Sequence, residues 1–594
     1  MADRRLVEQA LAELASNPEQ AAAAEECGHC VVLAGPGSGK TKTLTTAMAR
    51  AILEDVAEPR GVACITYNNE CALELEGRLE KLGVESGDRI FIGTVHSFAL
   101  SQVIAPYARC VLPELAQPFR LATVPEIRRA VEDAHRQVIN DGNDPHNRWR
   151  FAQEKRRRDV DRLQENWRGR NPELADFIEA YETILHRQGL IDFDDMPLLA
   201  YKMLRQHPWI QHAIRARFPI LFVDEYQDLG HGLHELVLML CFESGVRLFA
   251  VGDADQSIYA FAGANPDLLA SLTARPDVRT IRLKFNYRCG TKIIDASMAA
   301  LGEEREYQAP DGAEAGQIHF RQVEGGLSAQ AAHVVNALLP ELVARGIPYE
   351  EIAVLYRTAD QGNEIASAAL AAGIPIVRAD NQALVKRNSR LSRFIEACAK
   401  WISGGWRDGD PRFSRLSAEA TALVLGPGSS EDERQIIRVE LVSFLKDSID
   451  AGESTHEWLK SFQRTLVVPW RSRARTAADE WDIVDEMIKR TDPTQQGEDI
   501  PLGHFGGRVA GTGRLNLSTL HSAKGREFDA AILFGMNNDV IPTWRDQQKP
   551  ATLREVRRLF YVGVTRSRSD LYLVFRKSGH SPWVKELYDR ANAA

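Results

Sequence analysis

HCVVLAGPGSGKTKTLTTAMARAIL, residues 29–53, is the stretch whose reading decides the fold. Its first six residues are nearly all apolar, as in a short strand buried on both faces. Gly35, Gly37 and Gly39 then fall close together, and from Lys40 onward apolar residues recur at helical spacing. Strand, glycine loop and helix in that order form the setting of a phosphate loop. Backbone N–H groups turned inward by the glycines can cradle phosphate oxygens. Lys40 can reach the β and γ phosphates, and the Thr41 hydroxyl can bind magnesium. The generic pattern has glycine where Ala34 stands, so the strict motif is missed by one position.

A magnesium-nucleotide site needs a further carboxylate on a neighbouring strand end. LFVDEYQD, residues 221–228, supplies one. Asp224 fits the metal, and Glu225 is placed to orient or deprotonate the attacking water. Gln227 and Asp228 are suited to link that chemistry to moving parts. Around these lie further strand candidates in GVACITYNN, RIFIGTVHSF, FPILFVDEYQD and VRLFAVGDADQ, and after residue 280 in QIHFRQV, EIAVLYRT, RLNLSTLH, DAAILFGM and LYLVFRK. Short apolar strands alternating with helices predict an α/β fold with parallel sheets covered on both faces, repeated in a second lobe. Two helix-patterned inserts, about 101–200 and 380–505, interrupt the lobes.

With 594 residues, two to four domains are expected. A hydrophobic share of 44% with 26% charged residues fits an ordinary soluble globular chain. The formal net charge of −9 means that any nucleic-acid track must be a local basic stripe on an acidic body. Residues 148–170, RWRFAQEKRRRDVDRLQENWRGR, hold nine Lys or Arg against four Asp or Glu with two interleaved tryptophans, and are read as that stripe or as a solvated helix face. The N-terminus lacks the apolar core of a signal peptide and no run is long enough to span a bilayer, so a cytoplasmic location without a membrane is expected. The close pair Cys27 and Cys30 lacks two further ligands at recognisable spacing and is read as free thiols.

These residues resemble superfamily 1A helicases of the UvrD/Rep/PcrA type. NPEQ (17–20) is similar to the Q motif, AGPGSGKT to the family's phosphate loop with its alanine, ITYNNECA to motif Ia and GTVHSF to motif Ib. IDFDDM is similar to the segment before motif II, DEYQD to motif II, and VGDADQSIYAFAGA to motif III. NYR, IAVLYRT, TLHSAKGREFD and RRLFYVGVTRSR resemble motifs IV, IVa, V and VI. The resemblance runs from residue 17 to about 575 apart from the inserts. It implies two RecA-like P-loop lobes: 1A from 1–100 and 201–280, and 2A from 281–380 and 506–594. Each would carry a mainly helical insert, 1B at 101–200 and a short 2B at 381–505.

The resemblance also implies roles. ATP and Mg2+ would be held by Ala34, Gly35, Pro36, Gly37, Ser38, Gly39, Lys40, Thr41 and Lys42, with Thr41 and Asp224 on the metal and Glu225 as base. Gln20 and a stacking Tyr287 would hold adenine, Glu527 would contact the ribose, and Gln256 would sense the γ-phosphate. Arg288 and Arg566 would be arginine fingers, which supply roughly 10³ to 10⁵ in rate. Tyr67, Tyr259 and Phe261 would stack on single-stranded bases, and Thr94, His96, Thr519 and His521 would contact the strand. The implied activity is a 3′→5′ helicase and translocase on single-stranded and 3′-tailed duplex DNA, in repair or replication restart.

Several positions depart from the family pattern. Phe261 stands where tryptophan is usual, NNECA where TNKAA is usual, and Arg526 where leucine is usual. No GIG element occurs and the second insert is short, which bears on duplex unwinding rather than on hydrolysis. The chain stops soon after motif VI, without an appended nuclease domain. In that reduction it resembles the motor subunit of the Gabija anti-phage system. The second reading is therefore a DNA-sensing ATPase that regulates a separate nuclease.

Overall fold

The computed structural model describes residues 3–593 apart from 68, 85–86, 88, 170, 381, 387–388, 427–428, 450–453, 475–479, 496–498 and 507–512. Asn68 of the motif Ia stretch, residue 381 at the start of the second insert, and Arg170 of the basic stretch lie outside the described residues, as do the side chains of Asn69 and Glu70. The chain divides into two units, Met1–Tyr287 with Glu306–Pro310, and Arg288–Arg305 with Asp311–Ala594.

Unit 1 contains β1 (His29–Ala34), β2 (Val62–Thr66), β3 (Ile90–Thr94), β4 (Arg120–Leu121), β5 (Leu190–Ile191), β6 (Ile220–Val223), β7 (Arg247–Gly252) and β8 (Val278–Leu283). Six of them form one parallel sheet in the order β3-β2-β6-β7-β1-β8. The two-residue period of a strand sends alternate side chains to opposite faces. Val31, Ala63, Ile65, Leu221, Val223 and Ala250 enter one core, while Cys30, Val32, Cys64, Phe222, Phe249 and Val251 enter the other. Burial on both faces explains why these strands read as continuous apolar runs. β8 was not evident in the sequence, because VRTIRL carries two arginines and only Val278, Ile281 and Leu283 are buried.

Unit 2 repeats the plan with β9 (Gln317–Val323), β10 (Ile352–Tyr356), β11 (Ile376–Ala379), β12 (Leu515–Thr519), β13 (Phe528–Phe534) and β14 (Ser567–Arg576). These pair in parallel in the order β11-β12-β10-β13-β14-β9. The fold is thus α/β, with two RecA-like parallel sheets. The described residues between 390 and 505 are mainly helical and close a core of their own around Phe394, Leu441, Phe462 and Trp470. No helix among the described residues is long and apolar enough to cross a membrane.

The helices Val124–Val138, Pro145–Arg158 and Pro172–Arg187 of unit 1 pack around Trp149, Phe177 and Tyr181. Here the structure departs from the reading of residues 148–170 as a DNA stripe or a solvated face at Arg156, while Arg150, Arg157, Arg158 and Arg168 stay exposed. Arg156 is only 1% exposed. Its Nε donates to Glu182 Oε1 at 2.8 Å, Nη1 to Asp192 Oδ2 at 2.7 Å and Nη2 to Asp195 Oδ1 at 2.8 Å. Arg157 donates to Asp194 at 2.9 Å, and Arg162 to Glu182 at 3.0 Å while lying 3.5 Å over the Trp167 ring. Arg168 pairs with Asp176 and Glu179. Most acids that neutralise this stretch lie outside it, Asp141 and Glu173 beside Arg148 and the others from Asp176 onward, so a charge count confined to 148–170 misses them.

Removing one member of a buried ion cluster strands the others without compensation, at a cost of about 3–5 kcal/mol. Arg156→Ala should lower unfolding stability by that amount in a denaturant titration, and Arg156→Met by less. A loss within the error of the titration would show that the cluster does not hold this insert.

Candidate functional site

β1 ends at Ala34, and Gly35–Gly39 lead into the helix Lys40–Glu54. Two glycines are required on steric grounds. A Cβ at Gly35 would come within 2.4 Å of the Tyr307 ring, and Gly39 sits at φ +79°, where a Cβ would also meet the Gln20 amide. Ser38 Oγ donates to Gly35 O at 2.7 Å and closes the loop on itself. Asn17 caps the helix Pro18–Ala24, its Oδ1 accepting from the backbone N–H groups of Glu19 and Gln20. That cap aims Gln20 Nε2 at Ser38 O, 2.9 Å away. Tyr287 N donates to Gly37 O at 2.8 Å, and Asn17 Nδ2 donates to Tyr287 Oη at 2.9 Å. The structure therefore brings Gln20 and Tyr287 to the phosphate loop. Lys42 instead points to Glu13, with Nζ 2.8 Å from Oε2.

The acidic side is built from the ends of β6 and β7. Lys40 Nζ lies 3.8 Å from Asp253 Oδ2, and both side chains are largely buried. Gln256 Nε2 donates to the same Oδ2 at 2.5 Å. Gln227 joins the two strand ends, its Oε1 accepting from Asp253 N at 2.8 Å and its Nε2 donating to Glu225 Oε2. Glu225 stands at φ 50°, a conformation that a residue with a Cβ rarely adopts, and its N–H donates to Asp224 Oδ1 at 3.0 Å. Burial first, then the neighbouring Glu225 carboxylate, pushes Asp224 up to about 7. Burial likewise raises Asp253 despite Lys40. The edge thus holds more carboxylate than the lysine beside it can neutralise.

That surplus fits a divalent cation. Among the described residues no group of three or more His, Cys, Asp and Glu side chains is placed to hold a metal unaided. Magnesium in nucleotide sites takes one or two protein oxygens, the rest of its shell being phosphate and water. Thr41 and Asp224 would be those oxygens. Cys27 and Cys30 are free thiols, one exposed and one buried.

In unit 2, Arg288 Nε donates to Glu527 Oε2 at 2.5 Å, and Arg568 Nη2 donates to Glu527 Oε1 at 3.0 Å. Burial pushes the Glu527 carboxyl up, but the two guanidinium groups outweigh it and hold the group low. Arg566 is buried, with Nε on Val562 O at 2.9 Å, Nη1 on Arg526 O at 3.2 Å and Nη2 on Thr565 Oγ1 at 3.1 Å. Arg288 and Glu527 are thus brought together, and Arg566 is held by backbone carbonyls.

Of the residues expected on the nucleic acid, Tyr67 and Tyr259 stack with centroids 5.0 Å apart, and Phe261 meets Tyr259 edge-on at 6.0 Å with 73% of its surface exposed. Thr94 and Thr519 both end strands and both cap the turn that follows, each Oγ1 accepting from the N–H three residues on at 3.1 Å. Burial, then a nearby arginine, lowers both histidines to about 4: Arg157 beside His96 and Arg357 beside His521. Sequence reasoning missed Phe193, which stacks on His96 at 4.0 Å and is 58% exposed. Its three neighbouring aspartates in IDFDDM are all buried on arginines, so the sequence held no signal that the phenylalanine would be the exposed member. Asp253 and Tyr307 were also not foreseen; the latter donates to Asp255 Oδ2 at 3.4 Å.

Known proteins resemble this chain along most of its length. The family described as UvrD/REP helicase N-terminal domain matches residues 16–277, and the UvrD-like helicase C-terminal domain matches residues 507–578. The chain is 27% identical to the ATP-dependent DNA helicase PcrA of Leuconostoc citreum over 645 residues, covering 97% of this chain and 83% of that protein. It is 25% identical to DNA helicase II of Escherichia coli (strain K12) over 642 residues, covering 97% and 86%. Against the ATP-dependent DNA helicase Rep of Buchnera aphidicola subsp. Acyrthosiphon pisum the identity is 23% over 615 residues, 92% of each.

Gln227→Leu keeps the side-chain volume and removes both bridging bonds, so nucleotide turnover should fall by about tenfold or more while nucleotide affinity changes less. Equal turnover in steady-state kinetics would remove Gln227 from the positioning of Glu225. For His96, a folded-state value depressed below the ordinary 6.5 makes its share of stability complete above pH 6.5 and lost as pH falls toward 4. His96→Gln should flatten that part of the acid unfolding curve; an unchanged curve would place the titration elsewhere.

Proposed function

Because the chain belongs to the UvrD/Rep/PcrA-like family of superfamily 1A, we propose that it is an ATP-dependent DNA helicase driven by hydrolysis at the loop Gly35–Lys40. The observation that carries this is the arrangement at the carboxyl ends of β1, β6 and β7. One lysine, a buried aspartate and a strained glutamate converge there beside the loop Gly35–Gly39. Ligands of open parallel sheets bind at that edge.

In the proposed mechanism, backbone N–H groups of the loop and Lys40 neutralise the phosphates, and magnesium, when bound, would supply further charge stabilisation. Thr41 and Asp224 would hold that ion. Glu225 Oε2, steadied by the Gln227 amide, accepts the proton of the attacking water. Gln256, on the segment that continues to Tyr259 and Phe261, couples the γ-phosphate to the aromatic contacts with the strand. Gln20 and Tyr287 take the adenine, and Glu527 the ribose once Arg288 and Arg568 release it. Arg288 and Arg566 act as arginine fingers.

The proposed polarity is 3′→5′ on single-stranded and 3′-tailed duplex DNA, in the cytoplasm, in repair or replication restart. The short second insert without a GIG element favours a second reading, in which the same DNA-stimulated ATPase regulates a partner nuclease in anti-phage defence.

Glu225→Gln should lower phosphate release by about 10² to 10⁴ while ATP still binds, since it removes the base and little else. Lys40→Ala should abolish turnover. A wild-type rate for Glu225→Gln in a phosphate-release assay would withdraw the base assignment. Strand displacement should proceed on a 3′-tailed duplex and fail on a 5′-tailed one. Stimulated hydrolysis without displacement on either would replace the helicase reading with the regulatory one.

A further inference from the structure

The two units carry the same local device at a strand end. In unit 1, β3 ends in Thr94-Val95-His96-Ser97; in unit 2, β12 ends in Thr519-Leu520-His521-Ser522. The threonine caps the following turn with the same 3.1 Å bond from the serine N–H. The histidine is kept neutral by burial and by an arginine. That arginine is in turn clamped by an aspartate. Arg157 Nε donates to Asp194 Oδ1 at 2.9 Å, while Arg357 donates to both carboxylate oxygens of Asp546 at 2.6 and 2.9 Å.

In both units the clamping aspartate lies beside an aromatic that the fold leaves in solvent. Asp194 follows Phe193, 58% exposed. Asp546 closes the turn that begins at Thr543, accepting from Thr543 N at 2.6 Å and from Thr543 Oγ1 at 2.7 Å, and Trp544 projects from that turn with 72% of its surface exposed. A second bond ties Arg357 Nη1 to Val540 O, so the loop is held at both ends. Ile541, three residues before Trp544, is fully buried and anchors the loop from inside. The exposure of Trp544 is therefore a product of a braced turn. Two cations flank it, Arg545 and Lys549, both exposed and without an ion pair among the described residues.

We propose that Trp544 is a base-stacking contact of unit 2 for single-stranded nucleic acid, with Arg545 and Lys549 on the adjacent phosphates. An indole on a rigid turn offers a large planar face at little entropic cost. Stacking tolerates every base, which a translocating motor requires, and the flanking cations suit the backbone. The proposal rests on the reading of the chain as a DNA motor, and on the strand meeting the sheet edge at which Thr519 and His521 stand.

The test is fluorescence anisotropy of a labelled single-stranded oligonucleotide titrated with the full chain, and with Trp544→Ala, Trp544→Tyr and Tyr259→Ala. Trp544→Ala should weaken binding by about 5- to 100-fold, the range expected of one stacked base. Trp544→Tyr should restore most of it. With an oligonucleotide whose bases are replaced by abasic sites, wild type and Trp544→Ala should bind alike, because no ring remains to stack. The slope of log affinity against log salt should be unchanged in Trp544→Ala and should fall in Arg545→Ala. If Tyr259→Ala weakens binding and Trp544→Ala does not, Trp544 is no contact and the motor reading stands. If neither weakens it, the strand does not run where the motor reading requires. A loss for Trp544→Ala that persists on the abasic oligonucleotide would also overturn the proposal, as it would mark a structural effect.

Discussion

Lys40 is the cation beside a buried edge that carries Asp224, Glu225 and Asp253, and the chemistry of unit 1 depends on that imbalance. Buried carboxylates in excess of their counter-ions resist ionisation, as Asp224 does. On the proposed reading, a magnesium-bound triphosphate would change this edge in two ways. The metal would supply the missing positive charge to Asp224, and the phosphates would compete with Asp253 for Lys40. Lys40, Asp253, Gln256, Gln227 and Glu225 form a continuous chain of polar contacts. Drawing Lys40 away from Asp253 therefore disturbs a path that reaches the base on one side and, through residues 253–261, the exposed Phe261 on the other.

Much of this was legible in sequence because it is local. A phosphate loop is a run of consecutive residues, and a strand buried on both faces is a run of apolar ones, so β1, β6, β7, β10 and β13 announce themselves. β8 and β11 do not. VRTIRL alternates apolar with charged residues, and IVRA lies at the rim of its sheet with every position only partly buried. Neither has the composition of an interior strand. The Tyr67–Tyr259 stack was legible only as two separate aromatics. Their meeting depends on where β2 and β7 deliver their loops, which no spacing reveals.

The reading of the basic stretch at 148–170 missed the burial of Arg156 for a related reason. Net charge over a window measures what the window contains and ignores what folds onto it. Asp192, Asp194 and Asp195 stand in a segment already noted for other reasons, and they arrive on Arg156 and Arg157 only in three dimensions. IDFDDM thereby has two tasks. Its aspartates neutralise arginines of the helical insert, and the same turn presents Phe193 to His96. The insert and the aromatic contact are thus mechanically joined through a buried salt network.

The neutral histidines bear on how a strand can be held and yet released. A protonated imidazole next to a phosphate would add a salt-dependent attraction at every step. Burial and the adjoining guanidinium groups remove that charge from both His96 and His521. What remains is a polar and planar surface that can contact backbone or base without a strong electrostatic hold. On the proposed track, exposed rings at Phe193 and Phe261 would act the same way, gaining contact with each base and losing it at comparable cost. The arginines beside the two histidines, Arg157 and Arg357, are neutralised by Asp194 and Asp546, so the proposed track would be set by shape and stacking more than by charge. That agrees with a chain whose net charge is −9, since an acidic body can travel along a polyanion only where its local contacts are made independent of its total charge.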